Sequence, residues 1–489
     1  MKNIKIAVFT IILSFVLFFP LKADWTYMVY MAADNTLSSA APVDINEMET
    51  AANNADVDII VLVDLQTAPG GDCKVYHIEH DNLINKIISP TIHSSIPWWP
   101  VDDELNTADW TVADSFFLWA MQNYPSDHYA ITFWNHGGGM FKDNNWKGDT
   151  RAICWDDTDG NDDYIDNGEV REILNQLYIE NGNSKIDLVG FDVCIQGAIE
   201  SHYQIADYTN VTVMSPANEP NNGWDWTFLN ELTTNPTMNA RNLGNHIVTY
   251  FGNFYPSTDA TLSAIDCDTL LNIFMPSFNT FTSELYKYMY YYTPEITTCM
   301  QSCDTLINND PNYGGPTPDL KEFINNIFLD LSLPSSLRNA ALDLNSKFGR
   351  IIINNFSRGY TSNGATIWFP QAAPACGYSF AGDNWVAYNS MLVFDNTQWD
   401  EFLLEYADPW PRPLGYDSEI FTSPTTLQFT HTLKKYGAIK ESTAKTDILN
   451  RHINNTIKDY NKNIIDNPIK NNKTIRKFQS NNIFFDISK

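Results

Sequence analysis

The sequence predicts an α/β protein built on a doubly wound sheet. Three observations carry that reading. Residues 57–65, 129–134 and 186–191 are continuous apolar runs, the pattern of strands buried on both faces of a parallel sheet. Segments of helical periodicity separate these runs. The chain has 489 residues, 44% of them hydrophobic and fourteen of them Trp, enough for a sizeable core.

The elements follow in order. Residues 25–32 are β-branched and aromatic and read as a first strand. Residues 35–53 read as a helix with apolar and small residues on one face, and 57–65 as a strand. Trp110, Ala113, Phe117 and Ala120 form one stripe of a helix over 109–122. A strand over 129–134, a helix over 168–178 and a strand over 186–191 come next. A helix over 195–208 leads to a strand over 211–215. Residues 261–265 and 365–369 read as further strands, with helices over 277–292 and 319–345 between them. Gly314-Gly315-Pro316-Thr317-Pro318 is a loop, and proline punctuates the chain from Pro409 to Pro413. Asn, Lys and Ile dominate after Asn450, in a tail that stands apart from the core.

The N-terminus reads as an export signal. Lys2 and Lys5 precede a nearly all-apolar run over 6–19, and Leu21-Lys22-Ala23 offers a cleavage site before Asp24. The run is short for a spanning helix; an uncleaved anchor is the alternative. The expectation is a signal over 1–23 and a mature protein that is secreted, periplasmic or on the cell surface, off the membrane once the signal is removed.

The formal charge of −29 argues against nucleic acid as a partner. Residues 433–489 carry twelve Lys/Arg against five Asp/Glu, a local +7 that leaves −36 on the rest. This tail is a solvated segment, a self-association element or a detachable piece. Seven cysteines stand at 73, 154, 194, 267, 299, 303 and 376. The odd number leaves at least one free or paired between chains. Export permits disulfides, with Cys299–Cys303 or Cys73 with another as candidates. No His or second Cys pair near 299 and 303 suggests zinc. Cys154 and Cys267 read as small buried hydrophobes.

Two strand ends carry the chemistry. The run over 129–134 leads into Asn135-His136-Gly137-Gly138-Gly139, and that over 186–191 into Asp192-Val193-Cys194. A thiol and an imidazole at the carboxyl ends of neighbouring strands can make a Cys–His nucleophile. A helix beginning after Cys194 would lower the thiol pKa by its dipole. His136 would take and return the proton. The backbone N–H of Gly137, uncovered by side chains, would form an oxyanion hole with that of Cys194. Asp192, two residues before the thiol, could line a pocket for a cationic side chain. Each feature alone has a plainer reading, as a core histidine, a buried thiol or a tight turn.

These residues resemble the clostripain-like cysteine peptidases, relatives of caspases, legumain and gingipain. The matching stretches are Met28-Val29-Tyr30-Met31-Ala32-Ala33-Asp34-Asn35, Trp134-Asn135-His136-Gly137-Gly138-Gly139, Trp155-Asp156-Asp157, Gly190-Phe191-Asp192-Val193-Cys194, and Glu219-Pro220 with Gly223-Trp224. Leu262-Ser263-Ala264-Ile265-Asp266 and Ile367-Trp368-Phe369-Pro370 add to it, so the likeness covers roughly residues 25–400. It implies a caspase-like α/β/α sandwich with a mostly parallel central sheet, in a peptidase domain over 24–410 followed by a basic segment over 411–489. It implies a Cys194–His136 dyad without a required third member, and cleavage of protein or peptide substrates after Arg or Lys, with Asp192 in the specificity pocket. It also implies self-processing between the His and the Cys, where Lys147 and Arg151 are the candidate cuts. The chemistry needs no cofactor. Some relatives need calcium, and Asp157, Asp159 and Asp163 are candidate ligands, though Asp162 stands where an EF-hand turn wants Gly.

The chain departs from the family pattern near the pocket. Asn222 precedes Gly223-Trp224 where relatives often carry Asp, and Pro216-Ala217 replace an acidic pair. Preference for a basic residue then rests on Asp192, helped by Asp225. The alternatives are a caspase-like peptidase preferring another residue, and an inactive binding or surface protein on the same scaffold.

Overall fold

A computed structural model describes residues 22–66, 72–83, 85–139, 153–158, 164–306, 317–369, 391 and 396–407. Residues 1–21 of the expected signal over 1–23, the basic segment over 411–489, Cys376, Lys147, Arg151, Asp159 and Asp163 lie outside these.

One sheet organises the first of two compact units, which takes in residues 1–139, 152–272 and 349–366. Its strands are β1 (Ala23–Ala33), β2 (Val57–Leu65), β3 (Lys74–His77), β4 (Ser126–Trp134), β5 (Ile186–Asp192), β6 (Thr209–Met214), β7 (Ala260–Asp266) and β8 (Ile352–Arg358). They lie in the order β3-β2-β1-β4-β5-β6-β7-β8. The β2-β1-β4-β5-β6 centre is parallel, while β3, β7 and β8 join antiparallel to their neighbours. The sheet is thus mostly parallel, as expected.

The two faces of β1 sort its side chains by the period of two that a strand imposes. Trp25, Tyr27, Val29 and Met31 join one core, together with Ala41, Ile45 and Met48 of helix α1 (Ala41–Met48). Leu243, Ile247 and Phe251 of a helix over Ala240–Phe254 complete that layer. Met28, Tyr30 and Ala32 face the other core, with Phe116, Phe117 and Ala120 of helix α2 (Trp110–Asn123). Ile173, Leu174 and Leu177 of helix α3 (Asn167–Glu180) lie there too. Helices on both faces of one sheet make an α/β/α sandwich. Asp109 caps α2 through Thr111 N–H, and Asp166 with Glu169 forms a capping box on α3.

The second unit, residues 140–151, 273–348 and 367–489, is mainly helical where described. A helix over Met275–Gln301 kinks at Tyr292, just before Pro294. It accompanies helices over Leu320–Leu329 and Trp399–Ala407. Phe281, Phe323, Phe369, Trp399 and Phe402 pack ring to ring in this unit.

Several expectations need correction. The single helix over 319–345 is two, over Leu320–Leu329 and Ser335–Ile351, because Asp330 and Pro334 interrupt it. Residues 365–369 form no strand. Thr366 makes a single bridge with Ala198 through bonds to Gly197 O and from Ile199 N–H. The eighth strand is instead β8, an edge strand of mixed polarity. All six described cysteines are free thiols. Cys299 and Cys303 lie one helical turn apart, and the Cys303 thiol donates to the Cys299 carbonyl at 3.2 Å. The expected disulfides are absent among the described residues.

Candidate active site

The parallel pairing of β4 with β5 aligns Trp134 with Asp192. His136 and Cys194 each follow two residues later, so they leave adjacent strands at the same level. The strand ends touch. A Cβ built on Gly137 would lie 2.1 Å from the Cys194 carbonyl oxygen and 2.8 Å from its nitrogen. Only glycine permits that approach. Asn135 N–H also donates to the Asp192 carbonyl at 3.4 Å.

His136 is half-buried and held from two sides. Its Nε2 shares a hydrogen bond of 2.8 Å with the Thr36 hydroxyl, and its ring stacks on Trp155 with centroids 5.5 Å apart. Asn35 and Asn135 both donate their amides to the Ala32 and Trp155 carbonyls, tying the end of β1 to the segment that carries Trp155. Sequence reading singled out neither Thr36 nor Trp155 for a role, because each lies far along the chain from the histidine.

Cys194 is half-exposed, and its Sγ accepts the Glu219 N–H at 3.3 Å. Burial pushes the thiol pKa up, while the N–H groups of Glu219, Gly137 and Cys194 itself pull it down. Gly137 and Cys194 thus direct two backbone donors at the sulfur. The expected helix dipole is missing from this balance. The next helix, α4, spans Ile199–Ile205, five residues on. Between them Ile195 adopts φ 53°, and Ile195 and Gly197 donate to the Ala217 and Ser215 carbonyls. Gly197 packs so tightly on Ser215 and Pro216 that the chain follows β6 before it can coil. A non-glycine residue at positive φ beside a nucleophile is local strain stored at a site.

Asp192 is buried, and both its oxygens accept the Trp224 N–H, at 3.1 and 3.2 Å. Gly223, at φ 59°, folds over the carboxylate; a Cβ there would lie 2.7 Å from Oδ1. Burial pushes Asp192 up to about 7, against bonds from Glu219 and Trp224 that lower it. The Glu219 carboxyl is buried too, pushed up by burial and by Asp192, with the Trp224 side chain pulling the other way. Two buried carboxyls this close disfavour each other's ionised form. Asp44 and Glu47 of α1 extend the acidic group. Asp44 accepts the Trp134 indole at 2.7 Å, and burial and Asp192 raise its pKa. Glu47 accepts the Trp226 N–H at 3.1 Å and is pushed up to about 7 by burial.

Asp225 lies near Glu47, whose pKa it helps to raise, and it also holds a turn. Its Oδ1 caps a short 3-10 turn over Trp226–Phe228, accepting from Thr227 N–H at 3.1 Å. Asn222 is exposed. Glu219, which the sequence offers only as part of the Glu-Pro motif, is an acid in direct interaction with Asp192. Asp44 had a visible signal, since it shares the buried face of α1 with Ala41, Ile45 and Met48. Of the calcium candidates only Asp157 is described; it is exposed and accepts Gln66 Nε2 at 3.3 Å.

The arrangement can bind an acyl carbon beside Cys194, place its oxygen on two backbone donors and receive a cation among buried acids. The sequence model of the clostripain family matches residues 29–403. The chain is 32% identical over 197 residues to clostripain of Hathewaya histolytica, a stretch covering 37% of this chain and 35% of that protein. The match therefore spans about a third of that relative's length. Among solved structures, an inactive zymogen C11 protease from Parabacteroides distasonis superposes with a TM-score of 0.55 at 14% identity, covering 79% of this chain and 99% of that one. A secreted C11 cysteine protease from Bacteroides thetaiotaomicron, bound to an irreversible peptide inhibitor, gives 0.53 at 18% identity over 75% and 99%. At these identities the likeness is one of fold.

Proposed function

The chain belongs to the clostripain family, and from that premise we propose that it is a cysteine endopeptidase that cuts protein and peptide substrates after Arg or Lys. The observation that carries this reading is the register of Trp134 with Asp192, which brings His136 and Cys194 out together beside Gly137.

The steps follow from these groups. His136 removes the Cys194 proton, and the thiolate attacks the substrate carbonyl. Gly137 and Cys194 N–H groups hold the oxyanion. Imidazolium then protonates the leaving amine as the C–N bond breaks, leaving a thioester. Water, deprotonated by His136, attacks the thioester and the acid departs, returning the proton to the thiol. Thr36 fixes one ring nitrogen and so leaves the other to serve sulfur. A cationic side chain seated near Asp192 and Glu219 draws out the ionised form of that pair.

The exported, self-processed form belongs to the same reading. The charged start and apolar run over 6–19 support a signal ending at Ala23, and the match over 29–403 supports a peptidase domain over 24–410. Lys147 and Arg151, between the dyad residues, suit the enzyme's own preference.

Purified protein assayed on acylated Arg- and Lys-amides tests the proposal. Cys194→Ala should lower turnover at least about a thousand-fold and leave the chain between His136 and Cys194 uncut. Unchanged hydrolysis in that variant would remove the dyad.

A further inference from the structure

The short segment from Glu219 to Trp224 is tied at both ends. Glu219 N–H donates to the Cys194 sulfur at 3.3 Å, and Trp224 N–H to the Asp192 carboxylate at 3.1 and 3.2 Å. Between them, Gly223 N–H closes a turn over 220–223 on the Pro220 carbonyl at 2.9 Å. One turn of backbone thus reaches both the thiol and the acid two residues before it.

The Gly223 carbonyl leads elsewhere. It accepts the Tyr255 hydroxyl at 2.8 Å. Tyr255 ends the helix over Ala240–Phe254, giving its own N–H to the Phe251 carbonyl at 3.1 Å. It is 6% exposed, and its ring meets Phe251 and Phe254 edge to face, with centroids 4.8 and 4.9 Å apart. Phe251 is itself core. A phenol packed in this way has two restrained torsions, so its hydroxyl is a fixed point for the turn.

The surroundings explain why a phenol suits the position. Burial above all, then the charges of Asp192, Glu219, Asp44 and Glu47, raise the Tyr255 pKa. The hydroxyl therefore keeps its proton and stays a donor. A lysine or arginine could make the same bond to a carbonyl, but it would set a cation among the acids. Tyrosine gives the proton and brings no charge.

We propose that Tyr255 is a positioning residue, whose hydroxyl holds the turn over 220–223 against Asp192 and Cys194 together. It takes no part in bond breaking and acts through the Gly223 carbonyl. When that bond is lost the turn lifts, and the Glu219 and Trp224 N–H bonds loosen at once. The first favours the thiolate of Cys194 and the second the ionised Asp192. The pocket half of this proposal rests on the cleavage after Arg or Lys proposed above; the thiol half does not.

Two single-hydroxyl variants of the full chain test it. Tyr255→Phe keeps the ring and removes the bond. Tyr250→Phe is the control, since it takes a phenol hydroxyl from the same helix, bonded there to Glu231 at 2.7 Å. Alkylation by iodoacetamide is followed against pH on the Cys194 peptide by mass spectrometry. Its midpoint should rise by about one pH unit in Tyr255→Phe and stay in place in Tyr250→Phe. The titratable groups that face the sulfur, Asp192, Glu219 and Tyr360 with His136, are the same in all these chains. On Arg-amides, KM should rise about ten-fold in Tyr255→Phe alone, with the unfolding midpoints of the two variants within a few degrees of each other. An alkylation midpoint that does not move in Tyr255→Phe, or moves equally in Tyr250→Phe, overturns the assignment. A midpoint that moves as expected in a protein that cuts no basic amide upholds the assignment and removes the Arg and Lys reading alone.

Discussion

Gly137 and Cys194 touch backbone to backbone across two strand ends, with no room for even one carbon between them. On the proposed mechanism the contact sets the level of the thiol against the oxyanion donors. Gly137→Ala should therefore part the strand tips. We expect kcat/KM on Arg-amides to fall about a hundred-fold or more, while the unfolding midpoint drops only a few degrees. Steady-state kinetics beside calorimetry measures both, and full activity in the variant would show that the contact is dispensable.

On the proposed mechanism Thr36 acts on the reaction through His136. Thr36→Val keeps the shape and removes the hydroxyl that bonds Nε2. On the proposed mechanism kcat falls about ten-fold with KM nearly unchanged, and the acid limb of the kcat pH profile moves. A purely structural threonine would leave that limb in place.

The buried Asp192 carboxyl titrates at about 7 in the folded chain, against about 4 when unfolded. Its folded pKa is raised, so its contribution to stability is fully present below about pH 4 and is lost as pH rises through 7. Asp192→Asn should flatten the decline in unfolding midpoint between pH 5 and 8 relative to the parent. Differential scanning calorimetry across that range reads the difference; identical slopes would contradict the assignment.

Asp225 and Glu219 separate capping from selection. Asp225→Ala removes the cap on the turn over Trp226–Phe228 and should cost about 1 kcal/mol while preserving the ratio of Arg to neutral peptides cleaved. Glu219→Gln should lower that ratio about ten-fold or more. A peptide-library profile of both variants decides between the two acids.

The central strands were legible because parallel strands buried on both faces leave unbroken apolar runs, as 57–65 and 186–191 do. The edges were not. Lys74–His77 and Ile352–Arg358 are short or mixed-polarity strands at the ends of the strand order, so β3 and β8 leave little signal. Residues 365–369 misled for the converse reason: they are apolar because they are buried, without a ladder to join. At the site, His136, Cys194, Gly137 and Asp192 could be read because each sits at or just beyond a strand end. Thr36, Glu219, Asp44 and Glu47 reach the same place from other segments. Only the folded chain brings them there, and a buried acid in a sequence looks like any solvated one.

On the proposed reading, the raised pKa values of Asp192 and Glu219 give the pocket a bookkeeping of its own. The empty pocket would hold fewer negative charges than it has acids, and the charge that would welcome arginine would be made on arrival. Binding would then expel a proton into the buffer, and the heat of association would depend on which buffer receives it. A guest of the same shape but no charge, such as citrulline, would have nothing with which to evict that proton, so the site would reject it at the threshold and not merely by weaker attraction.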